Sequence, residues 1–342
     1  MEKFSGLKRF MFGLPLGEAE FQKRGFYLGE NAQQRLEHVA KTVVEGYNYA
    51  LFSGLSKDLL FKREMINREL KGFFNEGVGM GLYTLDLISL FRKNRFWQFV
   101  KGHGKGHEYM SYIGAGIACG VFKYRPIDSF LEKASPTSGL LILNGIGFYY
   151  AYFKPKKTIN KLYIPKDLKH DDFYIYCYDN GIGRALWFYC GGNPKYIADE
   201  ISKFPKARRA GIWAGIGLAA TYAGGVPILN IEKLLFYGVE FRSHLAEGAI
   251  LAIHTRDIAG NPHEDNQVSE KIIGKTYKSS IEYAARANKF LDNKRYLLDK
   301  HSLEVFFNSL RSWVTHDLSD NEAVYDSKPL EKKQYEALKT IS

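Results

Sequence analysis

Several charged residues of this sequence lie inside apolar, glycine-rich segments. The acids are Glu76, Asp86 and Glu247, and the bases are Arg184 and Arg256. A buried charge needs an opposite charge or hydrogen bonds, or its pKa shifts toward the neutral form. We therefore take Glu76, Asp86, Arg184 and Glu247 as the candidate catalytic residues. Two roles are open: a structural ion pair, such as Glu76 with Arg184, or an acid–base pair that faces a ligand.

Two other motifs suggest chemistry but fit it poorly. Residues 114–120, GAGIACG, resemble a dinucleotide-binding loop, yet no β-run precedes them and the following acid, Asp128, is too close. His103, His107 and Glu108 have a spacing that would place two imidazoles on one helical face, as in some metal sites. The glycines interleaved with these histidines predict a loop instead. We therefore assign no metal site, and the cofactor, if the protein uses one, is unknown from the sequence.

Composition limits the class of protein. The chain has 342 residues, 15% of them aromatic, and a mean hydropathy of −0.28, which argues against a protein with many membrane spans. Its 48 basic and 37 acidic residues give a net charge of +11. This excess favours an anionic partner, but it is spread along the chain and forms no nucleic-acid patch. We expect no nucleic-acid partner.

The location of the protein follows from three features. The cysteines Cys119, Cys177 and Cys190 form neither a CxxC motif nor an even set, which favours a reducing compartment. The basic, aromatic N-terminus lacks the apolar core of a secretory signal, but it could lie on a membrane surface. Residues 210–231 carry no charge over 22 positions; their many small residues and Pro227 favour a buried helix over a span. We expect a cytoplasmic protein, with peripheral membrane binding as an alternative.

Glycines recur along the chain at a nearly constant interval. Successive spacings of 31, 37, 31, 36, 34 and 33 residues suit one helical hairpin each. A glycine inside a helix costs about 1 kcal/mol relative to alanine, unless a close contact repays it. The sequence therefore predicts an all-α fold of helical-hairpin, tetratricopeptide-like repeats packed around a central cleft. The recurring glycines are Gly46, Gly77, Gly114, Gly145, Gly181, Gly215 and Gly248.

The chain also resembles itself. Asn75–Gly120 aligns with Asp179–Thr221, which indicates a duplication into two halves. We expect Arg184 and Trp213 to lie where these halves meet. A second helix of one repeat is predicted over residues 127–135. The domain boundaries we expect are 1–29 for an N-terminal arm, 30–155 for the first half, 156–171 for a linker, 172–295 for the second half, and 296–342 for a C-terminal helix and tail.

Four segments carry a family likeness. GFFNEGVGMGLYTLD at 72–86, YMSYIGAGIA at 109–118, GIGRALWF at 181–188 and the block at 203–225 together resemble the UnbL-type enediyne biosynthesis proteins. The resemblance covers roughly residues 5 to 290. It implies action on a linear polyene made by a polyketide synthase, together with membrane-associated partner proteins. The matching motif positions are Glu76, Gly77, Tyr112, Gly114, Gly116, Gly181, Arg184, Trp187, Arg209, Trp213, Gly217, Tyr222, Gly224 and Gly225.

The sequence departs from that family at three positions. It has Gly211 and Asn144 where the family commonly has Asp, and Tyr149 where the family has His. A mechanism that depends on those side chains is therefore not implied for this protein. The resemblance does not imply any catalytic residue.

Our main hypothesis is that an aromatic cleft between the halves holds a long apolar, polyene-like substrate. A rod-like polyene needs flat apolar walls and close backbone approach. The protein would be a component of an oxidative, polyene-modifying system; whether it is itself an enzyme is open. Two alternatives are a non-enzymatic repeat scaffold that docks partners at a membrane, and a cyclase with Glu76 or Asp86 as its acid. The candidate substrate-binding residues are Tyr83, Tyr112, Gly116, Trp187, Trp213, Gly217 and Tyr222.

Overall fold

Our computed structural model describes residues 11–28, 32–89, 94–123, 128, 130, 132–134, 139–263, 266–292 and 302–315, which are mainly helical and include no strand. The all-α prediction is confirmed. The α-helices are α1 (Phe21–Arg24), α2 (Gln33–Ser53), α3 (Lys57–Glu64), α4 (Lys71–Ile88), α5 (Arg95–Lys101), α6 (Glu108–Phe122), α7 (Leu141–Phe153), α8 (Asp172–Tyr189), α9 (Pro194–Ser202), α10 (Lys206–Tyr222), α11 (Ile228–Tyr237), α12 (Arg242–Ile258), α13 (Gln267–Ile273), α14 (Tyr277–Asp292) and α15 (Ser302–Thr315).

Seven long helices form the body of the protein and pack in chain order. These helices are α2, α4, α6, α7, α8, α10 and α12, and each successive pair in this order is in extensive contact. The shorter helices α3, α5, α9 and α11 each connect two successive long helices in the sequence. The packing of α7 on α8 continues the stack across the predicted linker at 156–171.

The recurring glycines are the points where neighbouring helices touch backbone to backbone. A Cβ added at Gly114 of α6 would lie 1.9 Å from the carbonyl oxygen of Glu76 in α4. A Cβ at Gly116 would lie 2.1 Å from the carbonyl oxygen of Ile142 in α7. The first glycine of this pair thus faces the preceding helix and the second faces the following one. Such close approach brings many atoms into contact and repays the cost of a helical glycine.

The same arrangement repeats through the stack. The inner helices α4, α7, α8 and α10 carry equivalent glycine pairs, whereas α2 and α12 at the two ends carry one glycine each. Each glycine faces a main-chain carbonyl of a neighbouring long helix. The pairs are Gly77 with Gly79, Gly145 with Gly147, Gly181 with Gly183, and Gly215 with Gly217; the single glycines are Gly46 and Gly248.

The two self-similar segments have the same order of elements. α4, α5 and α6 run long, short, long, as do α8, α9 and α10. The helix expected over 127–135 falls partly outside the described residues; 128 and 130 are helical and 132–134 are not. A tetratricopeptide-like repeat type, a central cleft and the domain boundaries stay predictions.

The end of the stack lies against its beginning. The Arg68 side chain, just before α4, donates hydrogen bonds of 2.8 and 3.0 Å to the carbonyl of Gly260, just after α12. The Asn261 amide donates a 3.3 Å hydrogen bond back to the carbonyl of Arg68. The segment after α12 therefore contacts the segment before α4, although 192 positions separate Arg68 from Gly260 in the chain.

The N-terminal segment, residues 11–28, crosses α2 and α7. The side-chain amide of Asn48 bonds both the backbone N–H (3.0 Å) and the carbonyl (2.7 Å) of Leu14. The Tyr152 hydroxyl reaches the carbonyl of Glu18 at 3.3 Å. Among the described helices, none combines the length and the hydropathy needed to cross a membrane. Within residues 210–231, Gly211 to Tyr222 are buried in α10, so the prediction of a buried helix is confirmed there.

Candidate functional site

A largely apolar cavity lies between α2, α4, α6, α7 and α8, under the N-terminal segment. Its volume is about 50 Å³ for the centres of water-sized molecules, enough for a few water molecules or the end of a hydrocarbon chain. The charged side chains that reach it are Glu18, Glu76 and Arg184. The other lining residues are Leu14, Val39, Ala40, Val43, Val44, Tyr47, Phe73, Met80, Ile117, Phe148, Tyr152, Phe153 and Phe188.

Glu76 of α4 and Arg184 of α8 form a buried ion pair on the cavity wall. The Arg184 Nη2 donates to both carboxylate oxygens of Glu76, at 3.1 and 3.3 Å. The two residues are only 2% and 5% exposed. Burial raises the pKa of the Glu76 carboxyl, and the charge and hydrogen bonds of Arg184 oppose that shift. The structure thus contains the ion pair between Glu76 and Arg184 that the sequence suggested as one of two roles.

A polar chain extends from this pair into the stack. The Arg184 Nη1 donates a 2.8 Å hydrogen bond to Asn144 Oδ1 of α7. Asn144 Nδ2 donates in turn to Asn180 Oδ1 at 2.5 Å. The guanidinium of Arg184 also lies 5.1 Å from the centre of the Phe148 ring. The Arg184 side chain is therefore held on three sides, which fixes the position of the Glu76 carboxylate.

Asp86 has a structural position away from the cavity. Its carboxylate accepts a 3.0 Å hydrogen bond from the backbone N–H of Phe96 and lies 3.1 Å from Arg95 Nη1. Both partners belong to the first turn of α5. Asp86 therefore stabilises the start of that helix, where a negative charge is favourable.

Glu247 of α12 is fully buried in a second polar cluster. The Tyr176 hydroxyl donates to its carboxylate at 2.9 Å, and Arg311 of α15 forms an ion pair with it. Burial raises the pKa of Glu247, and Arg311 opposes that shift. Arg311 is not indicated by the sequence patterns, because nothing in α15 matches the spacing of the glycine-rich segments. This cluster anchors α15 to the stack.

Two other buried cations have different partners. Arg256 is fully buried, lies 4.2 Å from the centre of the Tyr222 ring, and donates a 2.6 Å hydrogen bond to the carbonyl of Tyr222 at the end of α10. Within the described chain it also donates to the main-chain carbonyls of Glu69 and Asn261, so it joins the end of α10 to the segments before α4 and after α12. Arg208 forms a buried ion pair with Asp179, with Nε 3.0 Å from Oδ2. Asp179 is an acidic residue within an otherwise apolar segment. This is the one sequence signal that could have indicated the pair.

The candidate aromatic residues lie in separate buried clusters. Tyr83 and Tyr112 pack with Phe96 and Phe130 between α4, α5 and α6. The Trp187 indole donates a 3.0 Å hydrogen bond to the carbonyl of Gly224. None of these aromatic residues lines the cavity.

Trp213 is 3% exposed and lies near Gly238 and Phe241. Both neighbours lie within residues 172–295, and the expectation that Trp213 lies where the two halves meet stays a prediction. The Trp213 indole packs beside Gly238, just after α11.

The remaining candidates contact other helices. Gly116 and Gly217 face the carbonyls of Ile142 and Leu245, respectively. Tyr222 packs edge to face on Phe73, at 5.0 Å, and Phe73 lines the cavity. Among the candidate site residues, the structure thus brings Glu76 and Arg184 to the cavity, with Tyr222 behind its wall. Residues 102–107 form the predicted loop, and no group of three or more His, Cys, Asp or Glu in the described ranges could hold a metal ion.

Comparison with known families places the chain. The family described as "Protein of unknown function (DUF1702)" matches residues 3–314. The chain belongs to the DUF1702 family. The match contains the whole helix stack and every residue that lines the cavity. No curated protein and no solved structure matches the chain. In this DUF1702 protein the cavity with its buried ion pair is the main structural indication of function.

Proposed function

We propose that this protein binds a long apolar chain, such as a linear polyene, with the end of the chain in the cavity beside Glu76 and Arg184. The observation that carries the proposal is a partly enclosed, mainly aliphatic and aromatic cavity with a buried ion pair on its wall. Such a cavity favours an apolar ligand, since a polar one would lose its hydration without replacement. A scaffold that works only through an open concave surface does not need this feature.

The sequence resemblance supports a role in natural-product biosynthesis. We infer that the protein acts with membrane-associated partner proteins to modify the apolar ligand, at the cytoplasmic face of a membrane. Exposed apolar side chains support such contacts: Phe236 is 77% exposed and Val239 is 68% exposed, at and after the end of α11. Large exposed apolar groups often mark interaction surfaces.

Acid-catalysed cyclisation is a second candidate reaction. Burial favours the protonated form of Glu76, and this carboxyl lines the cavity. A protonated carboxylic acid beside an apolar chain could donate a proton to a double bond. The ion pair with Arg184 opposes this role, because it stabilises the carboxylate.

Ligand binding can be tested with cis-parinaric acid, a conjugated-polyene fatty acid whose fluorescence rises in an apolar site. We expect saturable enhancement with the wild-type protein. Ala40→Phe places a ring in the cavity and should weaken binding by about tenfold or more, since 1.4 kcal/mol corresponds to tenfold. Gln34→Phe, at an exposed position of the same helix α2, is the matched control and should bind like wild type.

Two results would contradict the proposal. One is wild-type protein that gives no enhancement; the other is equal affinity in Ala40→Phe and wild type, which would place the probe elsewhere. If neither result is found, product analysis of a strain lacking this protein alone would identify the natural ligand.

A further inference from the structure

A surface groove lies beside the cavity, between the N-terminal segment, α2 and α3. Its volume is about 770 Å³, far larger than that of the cavity. Apolar side chains form much of its lining, among them Leu14, Leu16 and Phe52. Asn48 and Lys62 are polar members of the same lining.

Leu14 belongs to both spaces. It lines the buried cavity and the surface groove, so its side chain is part of the partition between them. The backbone of Leu14 is held by one side chain, because Asn48 bonds both its N–H and its carbonyl. The Tyr47 hydroxyl holds the carbonyl of Phe12 nearby, at 2.7 Å. A small movement of this segment would join the two spaces.

The two volumes make sense together. The cavity alone has room for only the end of a chain, whereas the proposed ligand is long. The rest of that ligand must lie elsewhere on an apolar surface, and the groove shares the lining residue Leu14 with the cavity. The groove is therefore suited to the remainder of the same chain, not to a separate ligand.

We propose that the groove and the cavity are two parts of one binding site for an unbranched apolar chain, with Leu14 as the residue that controls access between them. This inference rests on the proposed function. The groove supplies affinity that grows with chain length, because each added methylene buries more apolar surface. Asn48 lines the groove and also positions Leu14, through its two hydrogen bonds to the Leu14 backbone.

The inference predicts specific rate changes in stopped-flow binding of cis-parinaric acid to the full-length protein. Leu14→Ala widens the passage and Asn48→Ala releases the backbone of Leu14, so both should raise the association and dissociation rates by about tenfold. Leu14→Trp should slow association by a similar factor. The control is Gln34→Ala, at an exposed position of α2, the helix that carries Asn48. It should leave both rates unchanged.

Chain length gives a second, independent measurement. In wild type, palmitate should displace the probe far better than octanoate, because only the longer chain fills the groove. Leu16→Asp places a charge in the groove lining and should remove most of the advantage of palmitate, while octanoate binds as before. Leu16 is 48% exposed, so this variant should fold normally.

The outcomes separate the two proposals. Wild-type protein that does not bind cis-parinaric acid overturns both. Wild-type binding with unchanged rates in Leu14→Ala and Asn48→Ala, and an undiminished palmitate advantage in Leu16→Asp, overturns the shared site and leaves the cavity proposal intact. If Leu14→Trp does not fold, the other three variants still decide.

Discussion

The Arg184 guanidinium lies 3.1 Å from the Glu76 carboxylate although 108 positions separate the two residues in the chain. This pair joins two self-similar segments and forms part of the cavity wall. Its loss should therefore affect both the stability of the fold and the binding of a ligand.

Glu76→Gln should lower the free energy of unfolding by about 3 kcal/mol, since it leaves the buried Arg184 cation without its carboxylate. Denaturant titration would measure this loss. The matched control is Glu232→Gln, which removes an ion pair with Lys271 whose side chains are 46% and 45% exposed; it should cost less than about 1 kcal/mol. A Glu76→Gln variant as stable as wild type that also binds cis-parinaric acid normally would remove Glu76 from both roles.

Gly114→Ala should destabilise the stack by about 3 kcal/mol or more, because the new Cβ would meet the Glu76 carbonyl oxygen at 1.9 Å. Backbone cannot move aside as a side chain can. Gly17→Ala is the control, since the nearest atom there is the end of the flexible Lys23 side chain, at 3.2 Å. Equal melting temperatures for the two variants would show that the helices are not in such close contact at Gly114.

Arg311→Leu should loosen α15 from the stack, since it leaves the buried Glu247 carboxylate with the Tyr176 hydroxyl alone. Hydrogen exchange followed by mass spectrometry should show faster exchange in residues 302–315 and unchanged exchange in α6. Arg286→Leu, at an exposed position of α14, is the control. Unchanged protection of residues 302–315 would mean that apolar packing alone holds α15.

Acid should destabilise the protein through its buried histidines. Burial lowers the pKa of His254 from its usual 6.5 to about 4, and its two ring nitrogens have no hydrogen-bond partner among the described residues. Because the folded-state pKa is depressed, the unfolded chain takes up a proton first, and stability falls as pH drops from 6.5 toward 4. His107, His244 and His263 have lowered pKa values from the same main cause.

His254→Phe should reduce this loss, since a ring that does not titrate would pack beside Tyr109 and Phe306. The free energy of unfolding should be compared at both ends of that pH window. His38→Phe, at an exposed position of α2, is the control and should keep the wild-type slope. The same slope in His254→Phe as in wild type would assign the acid sensitivity to other groups.

Much of the fold could be predicted because its key contacts repeat. The glycine interval is visible in the sequence, and each of those glycines faces a backbone carbonyl in the structure. The pair of Glu76 and Arg184 could also be predicted, since each is a lone charge in an apolar segment. Such signals come from residues whose surroundings are regular.

The rest depends on contacts that occur once. Arg311 pairs with Glu247 over 64 positions, and no pattern in the sequence links α15 to α12. The aromatic candidates, such as Tyr83 and Trp213, were expected in one cleft, but burial alone does not say which cluster an aromatic ring joins. Leu14 resembles any other apolar residue until the segment that carries it is seen to cross α2.

The order of the stack also has a consequence for synthesis on the ribosome. Each long helix packs on the one made just before it, so docking can follow the emerging chain helix by helix. The ion pair of Glu76 nevertheless cannot form until Arg184 is synthesised, 108 residues later. The ion pair of Glu247 likewise requires Arg311. Nascent chains stalled between Glu76 and Arg184 should therefore be compact but should lack the Glu76 ion pair, and chaperones should bind them. Chains released after Arg311 should not bind chaperones.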